Sequence, residues 1–153
     1  MESQTDIGRD IPVVAAAIVR NGRVLGAQRG PGRSLAGYWE FPGGKVKPHE
    51  TQREALEREI CEELLCDIRV GQEICTTRER YEFGTVILST FLCHVAHGMP
   101  TVTEHSRIRW LPPKELARYQ WAPADREAMR LIAHMDLHHV PDPGAAGLMD
   151  SDD

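Results

Sequence analysis

Apolar positions along this chain follow two rhythms. Val13 to Val19 is an almost unbroken apolar run, and Val24 to Ala27 follows it after the pair Asn21-Gly22. This predicts two strands joined as a hairpin, because Asn-Gly accepts the positive φ angles of a tight two-residue turn. Residues 68–76 and 81–95 are rich in β-branched and aromatic side chains. They predict two more strands, the second carrying Tyr81, Phe83, Thr85, Ile87, Ser89 and Phe91 on one face. A last short strand is expected over Ile108 to Leu111. Elsewhere the period lengthens. Leu56, Ile60 and Leu64 recur every four residues behind Pro48 and Thr51, a spacing that predicts a helix over 51–64. Pro112 and Pro113 open a helical turn through Leu116, and Pro123 to Met135 reads as a final helix with Asp125 in its first turn. Residues 30–48 form a Gly- and Pro-rich loop.

Composition narrows the class. A chain of 153 residues with 41% hydrophobic and 27% charged residues makes one domain, large enough to bury a core without disulfide or metal staples. That domain is expected over residues 1–135, followed by an acidic, disordered tail, 136–153, whose final stretch VPDPGAAGLMDSDD (140–153) is too small and polar to pack. No apolar run approaches the roughly 20 residues that cross a bilayer, and MESQTDIGRD lacks the apolar centre of a signal peptide. A cytoplasmic protein with no membrane partner is expected. Cys61, Cys66, Cys75 and Cys93 show no CxxC spacing; they read as thiols rather than zinc ligands, with Cys61 and Cys66 buried.

Charge changes the picture more. The net charge is −5, and the five aspartates of residues 136–153 supply all of it, leaving 18 basic and 18 acidic residues in the body. Within that balance, residues 11–49 hold Arg20, Arg23, Arg29, Arg33, Lys45 and Lys47 against Glu40 alone, while residues 50–67 hold seven acids against Arg53 and Arg58. A mildly acidic chain does not coat a nucleic-acid polymer. A basic segment abutting an acidic helix does suit one small phosphorylated ligand.

On that helix Glu59, Glu62 and Glu63 stand at i, i+3 and i+4, so three like charges share a face. At roughly 100° per residue Glu63 falls only about 20° from Leu56, beside the apolar stripe rather than opposite it. Carboxylates at the border of a core call for a cation. Clustered oxygens suit Mg²⁺ or Mn²⁺, with Arg58 available to orient them. Upstream, Gly43-Gly44 lets backbone approach a metal or a phosphate closely.

Taken together, the string GGKVKPHETQREALEREICEELLC carries Gly44, five residues, Glu50, seven residues, then Arg58-Glu59-Ile60-Cys61-Glu62-Glu63. It resembles the signature of the Nudix hydrolases, and the likeness runs from about Val13 to Ile132. Where that signature ends in Gly and an aliphatic residue, this chain has Leu65 and Cys66, so the helix exit is expected to be strained or rerouted. The entry segment Trp39 to Gly44, a Glu104 six residues before Trp110, and Pro123-Ala124-Asp125 are similar to features of the MutT-like nucleoside triphosphate pyrophosphohydrolases.

The resemblance implies an α/β fold, an α/β/α sandwich with a mixed sheet and a loop-helix-loop catalytic motif. It implies release of a nucleoside monophosphate and pyrophosphate, with Mg²⁺ or Mn²⁺ held by Glu59, Glu62, Glu63 and the Gly43 carbonyl, and Glu104 as a further metal or catalytic residue. Glu59 or Glu104 would act as general base, supported by Arg58 and Glu50. Arg29, Lys45 and Glu40 fall at the phosphate end. At the base end, an ionised Asp125 accepts hydrogen bonds only, favouring the donor edge of cytosine, guanine or 8-oxoguanine; capping the last helix is its structural alternative. Tyr81 and Phe83 would stack on the base. Pool sanitation of the 8-oxo-dGTP type leads, a pyrophosphohydrolase of CTP, dCTP or 5-methyl-dCTP is the alternative, and a nucleotide-binding module without catalysis is the alternative of another class. Monomer and homodimer both remain open.

Overall fold

Strand β1 (Asp10–Arg20) carries the core on both of its sides. Val14, Ala16 and Ile18 pack with Leu25 and with Leu56, Ile60 and Leu64 of helix α1 (Gln52–Leu64). Ala15, Ala17 and Val19 face the opposite way, onto Trp121, Ala128 and Ile132 around helix α2 (Arg126–Ala133). A strand that is apolar on both faces must lie between two layers, and these two helices supply them. The α/β/α arrangement implied by the signature is therefore present. This computed structural model describes residues 9–103 and 107–143.

The remaining strands are β2 (Arg23–Gln28), β3 (Trp39–Glu40), β4 (Gly43–Lys45), β5 (Asp67–Tyr81), β6 (Gly84–His97) and β7 (Arg107–Leu111). The sheet runs β3-β2-β1-β6-β5, with β4 paired to β1 and β7 to β2. It is mixed, because β1 and β6 are parallel while the other pairs are antiparallel. The β1–β2 hairpin turns through Asn21 (φ 51°) and Gly22 (φ 77°) as its sequence predicts.

Helix α1 begins at a capping box, in which Glu54 N–H donates to the Thr51 hydroxyl and Thr51 N–H donates to the Glu54 carboxylate. Leu56, Ile60 and Leu64 are fully buried, so cutting any of them back to Ala would cost about 2–5 kcal/mol. The helix ends on Leu65 in the left-handed region (φ 55°, ψ 37°), its N–H bonded to the Cys61 carbonyl. The exit keeps the usual geometry and accepts the strain.

Four expectations need correction. The strand expected over 68–76 continues to Tyr81, and β6 starts at Gly84 rather than Tyr81, so Tyr81 ends one strand and Phe83 lies in the hairpin turn instead of both sharing a strand. The final helix is divided: Pro123–Asp125 is a 3₁₀ turn, and the α-helix starts only at Arg126. Cys61 is exposed, whereas Cys66 and Cys93 are buried. The packed body also runs past residue 135. Leu137 is buried, and Arg69 grips Asp142 through two hydrogen bonds of 2.7 and 2.5 Å.

Candidate active site

Arg58 organises the acidic helix. Its Nε and Nη2 donate to the two oxygens of Glu50 (2.6 and 2.9 Å), and Nη1 donates to Glu59 (3.0 Å) and Glu62 (3.2 Å). Nη2 also reaches the Lys45 carbonyl at 3.1 Å, tying α1 to β4. These bonds hold the Glu50 carboxyl down to about 2, with the Lys47 N–H as the next contributor, and push the Arg58 guanidinium above its ordinary value. Glu50 thus meets the site through Arg58, and its carboxylate's other bond is to the Lys47 N–H.

Glu59 is fixed from its other side by glycine. A Cβ on Gly44 would overlap the Glu59 carboxylate, and one on Gly43 would run into the Val14 carbonyl of the paired strand. Both glycines are needed for close approach, for different reasons. Glu63 enters the pocket described below, while the Glu62 side chain is 59% exposed. Glu104 lies outside the described residues. Among the described residues no three carboxylate, thiol or imidazole groups close into a metal cage. The donors here are all hard oxygens on one helix turn beside a glycine cradle, which fits a Mg²⁺-type cation that keeps waters and shares substrate oxygens. The set holds no thiolate or imidazole, the ligands that dominate structural zinc sites.

A cavity of about 320 Å³ joins this helix to the rest of the predicted site. Its lining includes Glu63, Gly43, Gly44 and Lys45, then Arg29, Glu40 and Phe41, and then Tyr81, Phe83 and Asp125. The Tyr81 and Phe83 rings stack 5.2 Å apart at 6°, with Phe83 58% exposed. A turn, not a strand face, brings them together. Arg29 also differs from expectation: its guanidinium is bound to Glu40 (2.9 Å), the Ser34 carbonyl (2.6 Å) and the Ser34 hydroxyl (3.3 Å).

Asp125 reaches the pocket from beneath. It is 5% exposed and stands at the N-cap position of α2, but its side chain makes no cap hydrogen bond; its Oδ1 accepts the Phe41 N–H at 3.1 Å. The strand segment it meets is clamped, since Trp39 exchanges backbone bonds with Gln120 and Ala122, and Phe41 stacks on Trp121 at 4.7 Å. Burial pushes the Asp125 carboxyl well above the ordinary carboxylate range, and Glu40 adds to that; the Phe41 N–H and Arg29 oppose it. This favours the neutral acid, which donates through one oxygen as well as accepting.

Sequence reasoning missed the contribution of residues 33–35. Arg33, Ser34 and Leu35 line the cavity, as do Val86 and Leu88 from β6. No spacing in a Gly-rich loop announces which way its side chains turn.

Residues 10–132 match the NUDIX domain family. The chain belongs to the NUDIX family. As a Nudix hydrolase it acts on phosphorus anhydrides, and Nudix hydrolases generally use divalent metal ions. It is 41% identical over 115 residues to the CTP pyrophosphohydrolase of Escherichia coli, covering 75% of this chain and 85% of that one. It is 42% identical over 121 residues to a putative 8-oxo-dGTP diphosphatase 2 of Mycobacterium tuberculosis, covering 74% and 82%. The solution structure of a MutT protein from Staphylococcus aureus superposes with a TM-score of 0.70 at 46% identity, covering 83% of this chain and 98% of that one. No helix among the described residues is long and apolar enough to cross a membrane.

Proposed function

We propose that this Nudix hydrolase cleaves nucleoside triphosphates to the monophosphate and pyrophosphate with Mg²⁺ or Mn²⁺, in nucleotide-pool sanitation of the 8-oxo-dGTP type. The observation that carries the reading is the single cavity that joins Glu63 and the glycine pair to Tyr81, Phe83 and Asp125. Acidic donors for a metal stand at one part of its wall, and a stacking surface with a buried polar group at another. A nucleotide has the same division into phosphates and base. When bound, a divalent cation neutralises phosphate charge and acidifies a coordinated water. The chain's own part is to hold Glu59 against Gly44 through Arg58, to present Glu63 to the cavity, and to meet the base with Asp125.

A second reading, cleavage of CTP, dCTP or 5-methyl-dCTP, draws equal support from the near-equal identities to the CTP pyrophosphohydrolase and to the putative 8-oxo-dGTP diphosphatase. Free nucleotides are cytoplasmic substrates, and the protein is expected there. Incubation with a panel of oxidised and ordinary triphosphates plus Mg²⁺, resolving monophosphate and pyrophosphate, separates the two readings; equal turnover of every triphosphate defeats both. Glu62→Gln is expected to lower turnover at least about a hundredfold with the fold intact. Unchanged pyrophosphate release in that variant overturns the metal assignment, and nucleotide binding without pyrophosphate release in the wild type would leave a nucleotide-binding module instead.

A further inference from the structure

We propose that Arg33 is the residue that receives the substrate's phosphate chain, and that Arg29, at the position expected to do so, instead builds the loop that presents it. The assignment rests on the reaction proposed above. Arg29 spends its guanidinium inside the protein, on Glu40 at 2.9 Å and on both the carbonyl and the hydroxyl of Ser34. Its charge is neutralised by a half-buried carboxylate. A phosphate arriving there would have to compete with an ion pair already made.

Those same bonds fix the loop. Arg29 exchanges backbone hydrogen bonds with Gly37 and Tyr38, the Gln28 side-chain amide donates to the Gly37 carbonyl at 2.9 Å, and Tyr38 N–H donates to Leu35. Gly32, Leu35 and Gly37 all hold positive φ, at 84°, 55° and 86°. Leu35 has no glycine's freedom, so its conformation is imposed by the surrounding bonds. The outcome is that Arg33, Ser34 and Leu35 line the cavity.

Arg33 is exposed and makes no ion pair or hydrogen bond among the described residues. Of the cavity's cations, Arg29 is paired, and Lys45 offers a point charge. Arg33 alone offers a planar fork whose parallel N–H groups match two oxygens of a phosphate. The cavity also contains Glu40, Glu63 and Asp125, so a polyanion entering it needs an uncommitted cation.

The test compares wild type, Arg33→Gln and Arg33→Lys in steady-state hydrolysis of the best nucleoside triphosphate of a panel. Calorimetric titration with magnesium pyrophosphate runs alongside. In Arg33→Gln we expect KM to rise about tenfold with kcat changed less than about twofold, and pyrophosphate to bind about tenfold more weakly. Arg33→Lys should fall between, keeping the charge and losing the fork. A KM and a pyrophosphate affinity both within about twofold of wild type in Arg33→Gln overturn the assignment. Melting temperatures should match, because Arg33 holds nothing in the fold. If wild type hydrolyses no triphosphate, the proposed reaction fails on its own, and the pyrophosphate titration still decides the role of Arg33.

Discussion

The carboxylate of Glu59 lies against the Cα of Gly44, in the space a methyl group would fill. Gly44 has an ordinary backbone conformation there, so its lack of a side chain serves the neighbour and not the turn. Gly44→Ala leaves the strand pairing intact and moves the far end of a flexible side chain. It should therefore fold normally and lose activity by about a hundredfold, the scale of a misplaced catalytic group. Gly43→Ala meets the Val14 carbonyl of β1 instead, and should show its defect as a lowered melting temperature. Thermal melts and turnover measured on both variants check the contrast.

Glu50 makes stability depend on pH in a defined direction. Its carboxyl lies at about 2 in the folded protein against an ordinary 4.5, chiefly through Arg58. A depressed folded value means the contribution is complete above the unfolded value and disappears as pH falls from about 4.5 toward 2. Glu50→Gln should remove that part of the acid limb, flattening the dependence of melting temperature on pH below 4.5. Identical acid limbs for the variant and wild type would defeat the prediction.

Much of this arrangement is legible in the sequence because it rests on local chemistry. Asn21-Gly22 specifies a turn, and Leu56, Ile60 and Leu64 specify a helix face wherever the chain goes. The spacing from Gly44 to Glu63 places the carboxylates without reference to anything distant. What was illegible depends on partners far away in sequence. Alternation continues unbroken through Tyr81, Glu82 and Phe83, so a hairpin turn there looks like strand until Gly84 adopts φ 143°. Arg29 reads as a phosphate cation until Glu40 and Ser34 are seen to hold it. Asp142, in a stretch of tail composition, is held against β5 by Arg69, far away in sequence.

Leu65 stores strain at the end of the catalytic helix. It is 59% exposed, so little burial compensates its left-handed backbone. Replacing it with glycine removes a penalty of about 1–2 kcal/mol and adds a smaller entropic cost in the unfolded chain. Leu65→Gly should be more stable by about 0.5–1 kcal/mol in urea denaturation. A loss of stability would mean that the exposed side chain does more packing than its surroundings indicate.

Asp125 is the buried counterpart of Glu50, with the opposite sign. Its folded value is raised, so the folded and unfolded forms agree below the ordinary 3.8, and stability falls as pH climbs from there toward the folded value. Asn has the same shape, keeps an oxygen for the Phe41 N–H and never ionises. Asp125→Asn should therefore melt higher than wild type at pH 8, with the difference narrowing toward pH 4. It should also fix the hydrogen-bonding character of the base pocket, because the amide donates and accepts at every pH as the neutral acid does. Base preference in wild type should drift as the carboxyl titrates, whereas in the variant it stays flat, and Mg²⁺ dependence should be the same in both. Competition assays between two triphosphates across pH measure this directly. A variant whose metal dependence changes more than its base preference would place Asp125 in support of the fold rather than against the base.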